Sequence, residues 1–222
     1  MGIVTELQAA DGHRFAAYVA APAGTPRGGL VVAQEIFGVN SHIRSVVDGY
    51  AADGWLAVAP ALFDRVERGV ELGYAPEDIQ RGMAIRQQLG NERPLADLAA
   101  ARAHAAQAGK VGIVGYCYGG LLAWLAAAKV DGLAAAVVYY GGGTPDHKDL
   151  APRCPVLMHY GEHDTHIPLA GVEALRAAQP AAEIHLYDAA HGFNCDQRGA
   201  WDAAAARLAR ERSVAFLRRH LG

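Results

Sequence analysis

The stretch "GIVGYCYGG", Gly112 to Gly120, decides how this chain folds and what it carries. A short apolar, β-branched run ends in Gly-Tyr-Cys-Tyr-Gly and passes at once into "LLAWLAAAK", which has the composition of a buried helix. Strand, sharp turn and helix in that order give a Gly-x-nucleophile-x-Gly motif its mechanical meaning. The central residue takes a strained backbone that lifts its side chain above a sheet, and the flanking glycines let strand and helix pass close to it. Cys117 stands at that position, where such hydrolases usually carry serine. A thiol at the start of a helix also meets the positive end of the helix dipole, which favours the thiolate. The competing reading is a small buried cysteine, and the strand-turn-helix frame favours the nucleophile.

Outward from this elbow, apolar runs alternate with segments of helical period, the pattern of a parallel sheet flanked by helices. Strands are expected at Phe15–Ala20, Gly29–Glu35, Leu56–Pro60, Val111–Gly115, Ala134–Tyr140, Pro155–Gly161 and Glu183–Ala189. Several are apolar throughout, as strands covered on both faces should be. Helices are expected around Ser41–Asp53, Glu77–Leu89, Pro94–Gln107, Gly119–Ala128, Ala170–Ala178 and Trp201–Leu221. The turn "ADGHRF" suggests an antiparallel hairpin before the parallel region begins. With 222 residues and no repeat, low-complexity tract or linker, one α/β domain over residues 1–222 is expected, without a separate lid domain.

A net charge of −3 leaves no basic footprint for nucleic acid. No apolar run approaches the ~20 residues that span a bilayer, and the first residues lack a signal-peptide pattern, so no membrane partner and a cytoplasmic location are expected. Three cysteines, Cys117, Cys154 and Cys195, at unrelated spacings argue against a disulfide framework or a paired-ligand zinc site. No exposed apolar stripe is evident, and a monomer is expected.

A nucleophile of this kind needs an acid and then a histidine, each on a loop at the carboxyl end of a strand. Asp164 in "EHDTHIP" and His191 in "HGFN" occupy such loops. Alternatives exist among the ten histidines: His163 and His166 flank Asp164 and could be taken with it as a metal set, His185 falls inside a strand, and Glu162 rivals Asp164. A metal set would leave Cys117 and His191 without a common explanation.

Four ordered motifs, "AQEIFGVN" (Ala33 to Asn40), "GYCYGG" (Gly115 to Gly120), "GEHDTHIP" (Gly161 to Pro168) and "AAHGF" (Ala189 to Phe193), resemble the dienelactone hydrolase (carboxymethylenebutenolidase) family of the α/β-hydrolase superfamily. The resemblance runs over nearly the whole chain, including "DGHRF" and "VVYYGGG". It implies an α/β-hydrolase fold, no metal and no organic cofactor, Cys117 as nucleophile, His191 as base and Asp164 as the residue that orients it. It further implies that Glu35 holds the resting thiol and accepts its proton, which is sensible because an ionised carboxylate beside a thiol disfavours the thiolate. The backbone amides of Tyr118 and Ile36 are expected to form the oxyanion hole.

The family's characteristic substrate is a lactone with a free carboxylate, opened to maleylacetate in the breakdown of chlorinated aromatic compounds. Arg81 matches a family arginine that faces this substrate, and arginine suits two-pronged carboxylate binding. Ile85 stands where a tyrosine is familiar, and Cys195 where a second arginine is. Arg65, Arg68 and Arg198 are candidates to replace it, Tyr118 is expected to narrow the pocket, and Arg65–Pro76 reads as a loop over the site. The reading is a cysteine-dependent hydrolase of a small lactone or ester, attacking through Cys117 and hydrolysing a thioester. A general carboxylesterase or thioesterase with the same residues, and a thiol redox protein in which Cys195 pairs with Cys117, are the alternatives.

Overall fold

A computed structural model describes residues 1–222. Its strands are β1 (Ile3–Gln8), β2 (Arg14–Ala20), β3 (Gly29–Ala33), β4 (Leu56–Pro60), β5 (Val111–Tyr116), β6 (Leu133–Tyr139), β7 (Val156–Gly161) and β8 (Glu183–Tyr187). They form one sheet in the order β1-β2-β4-β3-β5-β6-β7-β8. The first two run antiparallel, and every pairing from β4 onward to β8 is parallel. The antiparallel hairpin expected from "ADGHRF" is therefore present. Its outer strand β1 is missing from the list read off the sequence because its residues are exposed or half-buried and carry no apolar run.

The helices are α1 (Ser41–Ala52), α2 (Pro76–Leu89), α3 (Arg93–Ala105), α4 (Tyr118–Lys129), α5 (Leu169–Ala178) and α6 (Ala203–Leu221). They cover both faces, and two glycines of β5 show why. A methyl on Gly112 would meet Leu217 and Leu221 of α6, while one on Gly115 would meet the backbone of Gly119 in α4. Positions three apart on a strand point to opposite faces. Helix α6 starts two residues later than expected because Asp202 caps it, accepting from the Ala205 amide at 2.8 Å.

The core is one continuous cluster drawn from β2 through α6. Strands β3, β4, β5 and β7 are buried at every position, which explains their uninterrupted apolar runs. Strand β3 ends at Ala33, two residues short of the expected Glu35, and this releases Gln34 and Glu35 into the turn above the sheet. No helix is long and apolar enough to cross a membrane.

The expected loop over the site, residues 65–76, is tied down. Gly38 bridges to Glu71, and the Leu72 amide donates to the Phe37 carbonyl at 2.9 Å. At Gly38 the backbone has φ +79°, and a methyl would stand 1.9 Å from the Val70 carbonyl oxygen. Only glycine allows both the turn and the approach.

Candidate active site

Cys117 sits between β5 and α4 with φ 55° and ψ −114°, one of two residues other than glycine with positive φ. Holding a side chain there costs of the order of 1–3 kcal/mol. The surroundings impose it: the Cys117 amide donates to the Tyr139 carbonyl at 3.0 Å, and the Gly120 amide donates back to the Cys117 carbonyl at 3.0 Å. A methyl on Gly115 would lie 1.8 Å from the Gly119 oxygen, and one on Gly119 would lie 2.2 Å from the Ala33 oxygen. The glycines are thus spacers that let α4 start directly against β3 and β5.

Two loops at the same sheet edge bring in the partners. His191 Nε2 lies 3.2 Å from Cys117 Sγ, and His191 Nδ1 lies 2.7 Å from Asp164 Oδ2. The other Asp164 oxygen accepts from the amides of His166 at 2.8 Å and Ile167 at 3.2 Å, which fixes the carboxylate. Tyr140, the second strained residue, packs edge-on against the His191 ring at 5.1 Å. Burial works against a charged imidazole here, but the hydrogen bonds to Asp164 and to the Cys117 sulfur outweigh it and push His191 up to about 10. Both hydrogen bonds thus favour the protonated ring, which faces the sulfur.

Cys117 and His191 open onto a cleft of about 510 Å³ whose walls include Ile36, Phe37, Ile79, Met83, Tyr118 and Gly142, with Asp164 buried behind the histidine. The Ile36 amide makes no hydrogen bond within the protein, and Tyr118 is the first residue of α4, so its amide has no intrahelical acceptor. Both line the cleft beside the sulfur. The Tyr118 side chain is held in the cleft wall: its hydroxyl donates to the Gly90 carbonyl, and Arg86 stacks over its ring at 5.1 Å.

Such an elbow, with an acid and a histidine in this chain order on loops at one sheet edge, points to a hydrolase. Residues 15–221 match the family model described as the dienelactone hydrolase family. The chain belongs to the dienelactone hydrolase family. It is 39% identical to the carboxymethylenebutenolidase of Pseudomonas putida over 225 residues, covering 95% of this chain and 94% of that protein. The same figures hold for the carboxymethylenebutenolidase of Pseudomonas knackmussii. A crystal structure from Klebsiella pneumoniae, itself only provisionally assigned as a dienelactone hydrolase, superposes with a TM-score of 0.83 at 33% identity, covering 97% of this chain and 98% of that one. The fold is that of the α/β-hydrolases, and membership in this family makes the chain a hydrolase of ester or lactone bonds.

Within this dienelactone hydrolase family member the cationic side of the cleft departs from expectation. Arg81 does not line it: its side chain is 54% exposed and its guanidinium pairs with Glu67. The reason is helical phase. Ile79, Met83 and Arg86, at spacings of four and three, form the face of α2 toward the cleft, whereas Arg81 is two residues from Ile79 and so about 200° around. Ile85 is buried. The arginines that reach the cleft are Arg86 and Arg198. Arg86 escaped notice in the sequence, because the spacing it shares with Ile79 and Met83 marks a face of α2 but not that this face meets the cleft. Arg65 is committed elsewhere, to Asp97 through two bonds of 2.7 and 2.8 Å and to Asp11, and Arg68 pairs with Glu6 on the surface.

Glu35 is fully buried, with neither carboxylate oxygen hydrogen-bonded; its nearest cation is Arg198, 3.6 Å away. Arg198 is anchored over the rings of Phe37 at 5.6 Å and Tyr74 at 5.8 Å. The histidines beside Asp164 diverge: His163 pairs with Asp188 on the surface, and His166 packs edge-on against His191 at 5.1 Å. Glu162 is exposed, and His185 stacks on His159 at 6.0 Å in the sheet. Cys195 is buried, and burial first, then the nearby Glu35 carboxylate, pushes its thiol up to about 11.

Proposed function

We propose that the chain opens a small activated lactone or ester bearing an anionic group, with Cys117 as nucleophile, through a thioester acyl-enzyme. The observation that carries this reading is the relay from Cys117 to His191 to Asp164, at 3.2 and 2.7 Å, with the imidazole pushed up to about 10. An imidazolium facing sulfur is the counter-charge of a thiolate, a strong nucleophile near neutral pH.

The steps follow from that charge. Sulfur attacks the carbonyl carbon, and the carbonyl oxygen, now negative, is received by the amides of Ile36 and Tyr118. The carbon–oxygen bond to the leaving group breaks; an enolate leaves as the stabilised anion, and a poorer leaving group takes the proton of His191. Acylation also removes the sulfur charge that helps to hold the proton on His191. A ring still protonated after an enolate has left then releases that proton to solvent, and the neutral imidazole takes one from the water that attacks the thioester. The carbon–sulfur bond then breaks, the acid product leaves, and the thiolate and imidazolium return.

Arg86 and Arg198 are the anion-binding residues of this reading, in place of Arg81. Glu35 lies buried behind the cleft with Arg198 as its partner and neither oxygen bonded to the Cys117 sulfur, so the expected hold on a resting thiol is not formed, and in this reading the sulfur's proton rests with His191.

The test is turnover of cis- and trans-dienelactone and of p-nitrophenyl acetate by wild type and Cys117→Ala, with mass spectrometry of acid-quenched reactions. Loss of turnover in the variant and an acyl mass on the Cys117 peptide support the mechanism. Dienelactone turnover supports the anionic lactone, whereas turnover of neutral ester alone keeps the mechanism and moves the substrate to general esters. Activity that survives in Cys117→Ala refutes it.

A further inference from the structure

A second constellation lies in the interior, built from residues the reaction steps above do not use together. Glu35 comes from the turn after β3, His42 from the first turn of α1, and Cys195 from the loop that follows His191. One potential ligand atom from each falls within 4.8 Å of the others. All three are at least nine-tenths buried, at 0%, 3% and 0% exposed. Both Glu35 oxygens and His42 Nε2 are buried without any hydrogen-bond partner. Buried polar groups are ordinarily paired. Orphans on two neighbouring side chains, with a thiol beside them, leave a shared position with nothing to satisfy it.

The outer contacts have the form of a metal site. His42 Nδ1 is engaged at 3.2 Å by the carboxylate of Asp196, which turns Nε2 inward; a carboxylate behind a ligating histidine is the usual support for its orientation. Ser41 donates to Gln197 at 2.9 Å, so the start of α1 and the Cys195 loop are fastened together at Ser41 as well as at His42. Tyr74, whose hydroxyl accepts from Asn40 at 3.1 Å, closes the side near Cys195.

We propose that Glu35, His42 and Cys195 form a binding site for a zinc-like divalent cation, separate from the catalytic relay. Thiolate, imidazole and carboxylate together select a borderline-soft ion over magnesium or calcium. Bonds of about 2.0–2.3 Å in a tetrahedron put ligand atoms roughly 3.3–3.7 Å apart, so the three side chains need to draw together by about 1 Å. Binding forms one bond to each residue and releases the Cys195 proton to solvent. The carboxylate and thiolate charges then balance the ion, and Arg198 keeps its seat over Phe37 and Tyr74.

The experiment uses Co(II) as the probe, in a Cys117→Ser background so that the nucleophile cannot be the thiolate seen. The expected result is one bound ion per chain, with a sulfur-to-cobalt charge-transfer band that zinc displaces and that vanishes in Cys117→Ser/Cys195→Ser. Asp196→Asn, an exposed change, is expected to weaken binding about 10-fold or more, as outer-shell changes do. His42→Gln, which keeps every remaining cysteine, serves if the Cys195 variant does not fold, and its binding should be lost. No band in Cys117→Ser, a band that persists without Cys195, or unchanged affinity in His42→Gln overturns the site. The readout needs no turnover, so the site can fail while the catalytic reading stands, and the reverse.

Discussion

Gly82 of α2 and the Ile36 peptide approach so closely that a methyl on Gly82 would stand 2.2 Å from the Ile36 carbonyl oxygen. The helix that lines the cleft thus rests directly on the backbone of Ile36, whose amide, on the preceding peptide plane, is read as an oxyanion donor. Alanine favours a helix interior by about 1 kcal/mol over glycine, so Gly82→Ala should leave α2 helical while pushing the Ile36 peptide away. We expect kcat to fall about 10-fold or more with circular dichroism unchanged, since loss of a whole donor costs about 100- to 1,000-fold. A variant as active as wild type would detach Ile36 from catalysis.

Asp164→Asn removes the charge that faces His191 Nδ1 at 2.7 Å. The ring should titrate well below about 10, and kcat should drop by about 10,000-fold, as when the orienting carboxylate of a triad becomes an amide. Nuclear magnetic resonance of labelled histidine checks the first and steady-state kinetics the second. Titration unmoved by the substitution would mean that Asp164 does not hold the proton on His191.

The arginines give a contrast. Arg86→Ala and Arg198→Ala should each lower kcat/KM for a carboxylate-bearing lactone by roughly 10- to 100-fold, the worth of a hydrogen bond to a charged group. For p-nitrophenyl acetate, Arg86→Ala should change little. Arg81→Ala, on the outer face of α2, should match wild type on both substrates. A loss confined to Arg81→Ala would reverse the assignment.

Arg65 holds a buried carboxylate, with side chains 7% exposed for Arg65 and 0% for Asp97. Burial raises Asp97, and Arg65 opposes this through its hydrogen bonds and charge. Arg65→Ala strands that carboxylate at a cost of about 3–5 kcal/mol. The melting temperature should fall by more than about 6 °C, while kcat/KM of the folded fraction stays near wild type. A selective loss of activity at unchanged stability would put Arg65 in the site.

Stability should also depend on pH through His191. Its folded value, about 10, lies above the ordinary 6.5, so the folded state binds a proton that the unfolded chain releases. The contribution is complete below about pH 6.5 and is lost as pH rises through about 10. Urea midpoints of wild type and His191→Gln should therefore differ most at pH 6 and converge by pH 10.5. A gap that widens with pH would contradict the raised value.

The sequence by itself determined what depends on neighbours along the chain. The glycines at 115, 119 and 120 announce the elbow because a strand cannot pass into a helix at that angle with side chains there, and the order Cys117, Asp164, His191 follows from strand ends that apolar runs mark out. The parallel strands were legible because burial on both faces demands unbroken apolar residues. Strand β1 was not, since an exposed edge needs none.

Only the tertiary structure decided what depends on rotation and on distant segments. Which arginine faces the cleft turns on the phase of α2, where two residues reverse a side chain's direction, so Arg81 points away and Arg86 inward. The buried meeting of Glu35, His42 and Cys195 joins positions up to 160 apart, and no local pattern records it. Hydrophobic periodicity reports burial. Convergence of polar groups inside the fold is set by how the elements pack.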